Sequence, residues 1–177
     1  MIKLSEQPRR GESAVRRRPA EIGPVTVDRE GREFVLRCEM WLPRRKDEIF
    51  PFFADARNLE RITPGFLRFK VMTPGPVEMR EGALIDYRLK VRGVPIGWRT
   101  RIAAWDPPHR FVDEQIKGPY LQWIHEHTFE DDDGGTLCRD VVRYRVPGGR
   151  LVNALVVERD VKGIFRFRQE TLARMFG

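Results

Sequence analysis

The sequence predicts an α+β fold: a curved antiparallel sheet of seven strands, two short helices after strand one, and a long C-terminal helix. Three observations lead there. Seven segments alternate apolar and polar residues with the period of two that a half-buried strand requires. One interruption, residues 43–62, places apolar residues at helical spacing. The last stretch carries a broad apolar stripe, and it is the one long amphipathic element that can cover the sheet.

Glu33 to Leu42 is the first strand. Phe34, Leu36, Cys38, Met40 and Leu42 share one face, with Arg37 and Glu39 opposite. Pro43 stops it. A short helix follows with Ile49, Phe50 and Phe53 on one side; a second runs from Asp55, a natural N-cap, to Ile62. Thr63-Pro64-Gly65 ends the pair. Phe66–Thr73, Ala83–Val91, Ile96–Trp105, Arg110–Lys117, Tyr120–Glu130 and Thr136–Val146 supply six more strands joined by short turns, hence antiparallel. Tyr87 points inward on the third strand and Trp98 and Ile102 on the fourth; Trp41 and Trp105 fall on outward faces. The final helix, Arg150 to Phe176, lines up Leu151, Leu155, Ile164, Phe165, Arg168, Leu172 and Phe176, with a bend expected near Gly163. One helix cannot fill a strongly curved sheet, so a cavity is expected between them.

The chain has 177 residues, 41% hydrophobic and 33% charged, enough for a single domain with a real core. Residues 1–32 read as a disordered basic tail, rich in Arg, Glu, Pro and Gly and poor in aromatics; residues 33–177 read as the domain. Of the net charge of +7, the tail holds +3, densest at Arg16-Arg17-Arg18. That leaves an anionic membrane surface open as a partner for the tail, beside the simpler reading of a solvated basic face. No apolar run reaches membrane-spanning length and no secretory leader is visible, so the expected location is cytoplasmic. Cys38 and Cys138 sit in strand patterns as buried thiols. No cysteine metal motif, dinucleotide fingerprint or P-loop is present, so no cofactor and no metal is expected. Nucleic acid is disfavoured, because Trp98 and Trp123 share faces with apolar residues instead of forming a stacking platform.

The candidate site lies on the strand Tyr120–Glu130. Trp123, His125, His127 and Phe129 share one face, which suits a semi-polar cavity wall. On the next strand Cys138, Asp140, Val142 and Tyr144 share the inner face, and a buried acid there needs a partner. With Phe129 opposite Thr136, His125 faces Asp140; a two-residue slip puts His127 there instead. On the other side, Asp113 would face His125 and Gln115 would face Trp123. The expected polar row is Asp113–His125–Asp140, flanked by Gln115, Trp123, His127 and Tyr144. Arg168 on the helix stripe either reaches a carboxylate in the cavity or snorkels to solvent, snorkelling being preferred.

Several segments resemble a known superfamily. Phe50 to Pro64, containing Asn58-Leu59 and Thr63-Pro64, is similar to the helix pair of the START/Bet v 1-like (SRPBCC) proteins. Arg110–Phe129 and Gly135–Pro147 resemble the paired strands of its bacterial ligand-binding and polyketide cyclase-like branch, and Ile164–Leu172 its gripping helix. The resemblance covers about residues 33–177 and implies the helix-grip fold with a ligand cavity. Members range from lipid carriers to cyclases, so it implies no single function.

Four readings of the polar row compete. It is an internal network fixing strand register, a patch orienting a mostly apolar ligand, an acid–base pair of His125 or His127 with Asp140, or a metal site from His125, His127 and Asp140. The leading functional reading is binding or transport of a small hydrophobic molecule, such as a lipid, quinone or aromatic polyketide. Its ligand contacts would be Tyr87, Trp98, Ile102, Asp113, Gln115, Trp123, His125, His127, Asp140, Tyr144 and Arg168. The alternative is a cyclase/dehydratase-like enzyme using the same cavity, with His125, His127 and Asp140 as catalytic candidates. Neither the ligand nor the oligomeric state follows from the sequence.

Overall fold

The structure, a computed structural model, describes residues 18–177; Arg16 and Arg17 of the basic run lie outside the described residues. Among the described residues nine strands form one antiparallel sheet: β1 (Glu21–Ile22), β2 (Thr26–Glu30), β3 (Glu33–Leu42), β4 (Lys70–Val71), β5 (Leu84–Val91), β6 (Val94–Asp106), β7 (Arg110–Lys117), β8 (Gln122–Asp132) and β9 (Gly135–Arg145). Their order is β1-β3-β9-β8-β7-β6-β5-β4, with β2 also pairing with β3. Helix α1 (Lys46–Phe53) and a 3-10 turn (Ala56–Glu60) follow β3. The Asp55 side chain caps that turn, accepting from the Arg57 amide at 2.9 Å.

Two boundaries move. The tail does not extend to residue 32, because β1 and β2 pair with β3 in the register Glu21↔Trp41 and Val27↔Leu36. Both strands lie largely in solvent, so they lack the alternation that marks a half-buried strand. The strand expected over Phe66–Thr73 shrinks to β4, because Gly65–Leu67 forms a 3-10 turn and Arg68 takes a left-handed conformation with φ 45°. Phe69 still turns inward, its ring 4.9 Å from that of Tyr87.

The terminal helix is not uniform. Helix α2 (Gly149–Val152) passes through a π turn (Asn153–Val157) into α3 (Glu158–Phe176). The extra residue per turn shifts the phase of the stripe. Leu151 and Leu155 therefore face solvent, 69% and 71% exposed, while Val161, Phe165, Arg168, Gln169 and Leu172 face the sheet. The irregularity sits at Asn153, not at Gly163. Buried Asn153 accepts a hydrogen bond from the Tyr144 hydroxyl at 2.9 Å, which ties the π turn to β9. Replacing Tyr144 by Phe orphans that buried acceptor and is expected to cost about 1–3 kcal/mol, read by urea unfolding.

Two-residue turns with both φ values positive set the hairpins: Arg92-Gly93 (51°, 85°) between β5 and β6, and Asp133-Gly134 (45°, 76°) between β8 and β9. The second is decisive. It pairs Asp132 with Gly135, and counting back along both strands pairs His127 with Asp140 and His125 with Val142. The register is thus the slipped alternative, because the connection is a two-residue turn and not a longer loop. Gly135 is required as well: a Cβ there would lie 2.4 Å from the Leu42 carbonyl oxygen and from the Trp41 ring.

Trp41 and Trp105 are not on open outer faces. Trp41 is buried, with Arg18 over its ring at 4.5 Å and its indole N–H donating to the Asp132 carbonyl at 2.8 Å. A register shift between Ile102 and Ala104 flips the phase of β6 and turns Trp105 toward Phe50, ring centroids 5.4 Å apart.

Candidate functional site

The concave face of the sheet, the helix pair and α3 enclose a cavity of about 160 Å³, walled mainly by apolar and aromatic side chains. Trp98, Tyr87 and Ile102 line it from β5 and β6, Phe111 and Asp113 from β7, and Trp123, His125 and His127 from β8. Phe53, Leu59 and Ile62 close it from the helix pair, and Phe165 and Arg168 from α3.

Its polar wall is a closed set of two imidazoles and two carboxylates. His125 Nε2 lies 2.8 Å from Asp140 Oδ1, and its Nδ1 stands 3.6 Å from Asp113 Oδ2. His127 reaches both acids, Nδ1 at 2.8 Å from Asp140 Oδ1 and Nε2 at 3.2 Å from Asp113 Oδ2. The two imidazole rings are 3.7 Å apart, and Phe111 stacks on His127 at 4.1 Å. Asp113, His125 and His127 open on the cavity; Asp140 stands behind them, with the Cys38 thiol 3.8 Å from its Oδ2.

The geometry separates the two histidines. For His127, burial opposes the charge, but the Asp140 carboxylate and the bonds to Asp113 and Asp140 outweigh it, and its pKa is raised. For His125, burial and the neighbouring charge of His127 lower the pKa against the pull of the acids. His127, with its two nitrogens against two carboxylates, is the ring whose surroundings favour the imidazolium. The surroundings of His125 favour the neutral ring, whose proton belongs on Nε2, 2.8 Å from Asp140, which leaves the lone pair on Nδ1, too far from Asp113 at 3.6 Å for a hydrogen bond. Burial favours protonation of both acids, yet the His127 charge and the imidazole bonds hold Asp140 well below the usual carboxylate range. The His127 hydrogen bond, the neighbouring imidazoles and the Arg168 charge hold Asp113 below it too.

These directions fix a pH dependence. The raised His127 adds stability that is complete below about 6.5, the unfolded value, and disappears as pH climbs through its folded value. The lowered acids add stability that is complete above about 4 and disappears as pH falls through their folded values. His125 works the other way from His127: below about 6.5 the unfolded chain takes up a proton that folded His125 refuses. His127→Gln is therefore expected to lose most stability near pH 5.5 and less at pH 9, checked by urea midpoints at the two values.

Eight of the eleven expected ligand contacts line the cavity: Tyr87, Trp98, Ile102, Asp113, Trp123, His125, His127 and Arg168. Three do not. Asp140 is screened by the imidazoles. Tyr144 is fully buried and bonded to Asn153. Gln115 ties its own loop, donating to the Tyr120 carbonyl at 2.7 Å and accepting from the Tyr120 amide at 3.3 Å. Arg168 does not snorkel; it is 8% exposed and lies over the Phe165 ring at 4.8 Å. Phe111 and Phe53 were not expected in the wall, although Phe53 belongs to the apolar helix face that the sequence marks. The ligating atoms of Asp113, His125 and His127 lie within 4.8 Å of one another and could hold a cation, with Asp113 in place of Asp140 as the acid. A metal would have to displace the proton of His127.

Among the described residues no helix is long and apolar enough to cross a membrane. A search of curated proteins finds no match. Solved structures similar in fold include protein Ms6760 from Mycobacterium smegmatis, 21% identical, covering 86% of this chain and 97% of that one with a TM-score of 0.62. Protein CV1439 from Chromobacterium violaceum is 16% identical over 80% of this chain and 96% of its own, TM-score 0.63. TTHA0849 from Thermus thermophilus is 18% identical over 81% and 99%, TM-score 0.60. The family described as polyketide cyclase / dehydrase and lipid transport matches residues 42–169, a span that runs from the end of β3 through the histidine strand into α3. The chain belongs to this family, within the START/Bet v 1-like superfamily.

Proposed function

We propose that the cavity carries out acid–base chemistry of the cyclase/dehydratase kind on an oxygenated small molecule about one ring in size. The observation that supports this reading is the pair of adjacent buried imidazoles, their pKa values pushed in opposite directions, opening on an apolar space. Environments that push two titratable groups apart are how a site holds an acid and a base at one pH. A network that only fixed strand register would have no need to face the cavity. A passive carrier of an apolar molecule gains nothing from a buried imidazole–carboxylate set in its wall, whose desolvation is costly.

The step common to cyclisation and dehydration is removal of a proton from carbon next to a carbonyl. The His125 Nδ1 lone pair takes the proton and the C–H electrons pass into the carbonyl as an enolate, whose charge the neighbouring His127 imidazolium offsets while its own N–H groups stay on Asp113 and Asp140. Asp140 holds both rings, and Asp113 holds His127 from the cavity side. A volume of about 150 Å³ suits a single ring, so whole lipids and long isoprenoid chains fit less well.

The test uses phenylacetone in deuterated water, with loss of its α-proton signals followed by proton NMR. Exchange above the buffer rate supports an enzyme. Saturable binding of phenylacetone without exchange would replace this reading by that of a carrier.

A further inference from the structure

Arg168 is unexplained by the acid–base set. It is 8% exposed and part of the cavity wall, and its Nε and Nη1 find no hydrogen-bond partner among the described residues. Buried donors on a charged group are costly when unmatched. Offsetting the carboxylates at a distance would need only a positive charge, not an empty planar fork. The guanidinium carbon lies 4.8 Å from the centre of the Phe165 ring, one helical turn earlier, a cation–π contact that favours one placement of the group. Nε–H and the adjacent Nη2–H form one edge of the guanidinium, none of the hydrogen bonds among the described residues uses it, and such an edge matches the two oxygens of a carboxylate.

We propose that Arg168 anchors the carboxylate of the cavity's ligand, so that the substrate class is a ring-sized carboxylic acid. This rests on reading the cavity as a substrate site. Phe165 neighbours both groups: its ring centre is 4.8 Å from the Arg168 guanidinium carbon and 5.3 Å from the centre of the His125 ring. A carboxylate on Arg168 therefore keeps a small ring in the same part of the cavity as the His125 ring, which is the orienting function that proton abstraction needs.

The probes are benzoate and its neutral isostere benzamide, titrated into the full chain while the indole N–H signals of Trp98 and Trp123 are followed by NMR. Wild type is expected to bind benzoate at least tenfold more tightly than benzamide. Arg168→Met is expected to abolish that preference with its thermal midpoint unchanged or raised, since the unmatched donors are gone. Arg168→Lys keeps the charge, guards against a folding artefact, and is expected to restore only part of the preference. Equal affinities in wild type, no benzoate binding, or full preference in Arg168→Lys would each overturn the assignment. Exchange of phenylacetone, which has no carboxylate, reads the acid–base function separately. Benzoate preference without exchange would remove the enzyme and leave the anchor; exchange without benzoate preference would do the reverse.

Discussion

Asp140→Ala is expected to destabilise the protein by about 3–5 kcal/mol, the cost of removing one partner from a buried charge cluster. Asp140 is the shared acceptor of both histidines, at 2.8 Å from each. Without it, the His127 imidazolium keeps only the 3.2 Å bond to Asp113, and the His125 Nε2 proton has no partner in the set. His127 would then hold its proton less tightly, and the positive charge of the proposed pair would weaken along with the stability. Asp140→Asn keeps an acceptor and the volume, so it should lose less stability while still lowering the His127 pKa. Urea unfolding of the three proteins at pH 7 orders them wild type, Asn, Ala. An alanine variant within about 1 kcal/mol of wild type would mean that the cluster is worth no more than an exposed ion pair.

His125→Gln is expected to lower the exchange rate of phenylacetone by about 10²–10⁴-fold, the usual contribution of a positioned general base. The glutamine amide can take over the Nε2 donor to Asp140, so the network remains tied. What disappears is the Nδ1 lone pair. The rate should therefore fall while phenylacetone affinity stays within a few-fold of wild type. A parallel loss of affinity and rate would assign His125 to ligand binding instead. The wild-type rate should also decline as pH falls and His125 takes up a proton, at a pH below the ordinary histidine value because burial and His127 depress it.

Much of this arrangement is legible in the sequence where side-chain period alone decides it. β3, β5, β8 and β9 alternate cleanly, so the shared face of Trp123, His125, His127 and Phe129 and the inward position of Asp140 follow directly. The His127–Asp140 register was also within reach, because Asp133-Gly134 is the residue pair that a two-residue turn with two positive φ values demands. Other features leave no periodic trace. A bulge in β6 reverses which face Trp105 takes, and a π turn rotates Leu151 and Leu155 out of the stripe. β1 and β2 pair along an edge without burying a face, so they read as tail. The burial of Arg168 was missed for a physical reason: a long cationic side chain at a helix surface ordinarily reaches water, and only the curvature of the sheet around α3 denies it that route.

The central claim is that two neighbouring buried histidines hold different charge states in the folded protein, one positive and one neutral. Nitrogen-15 NMR of the imidazole rings between pH 5 and 9 reads this directly. The account predicts that at pH 7 His127 carries a proton on both nitrogens, while His125 carries one, on Nε2, with a free lone pair on Nδ1. Two neutral rings at pH 7, or two rings titrating together near the ordinary histidine value, would contradict it.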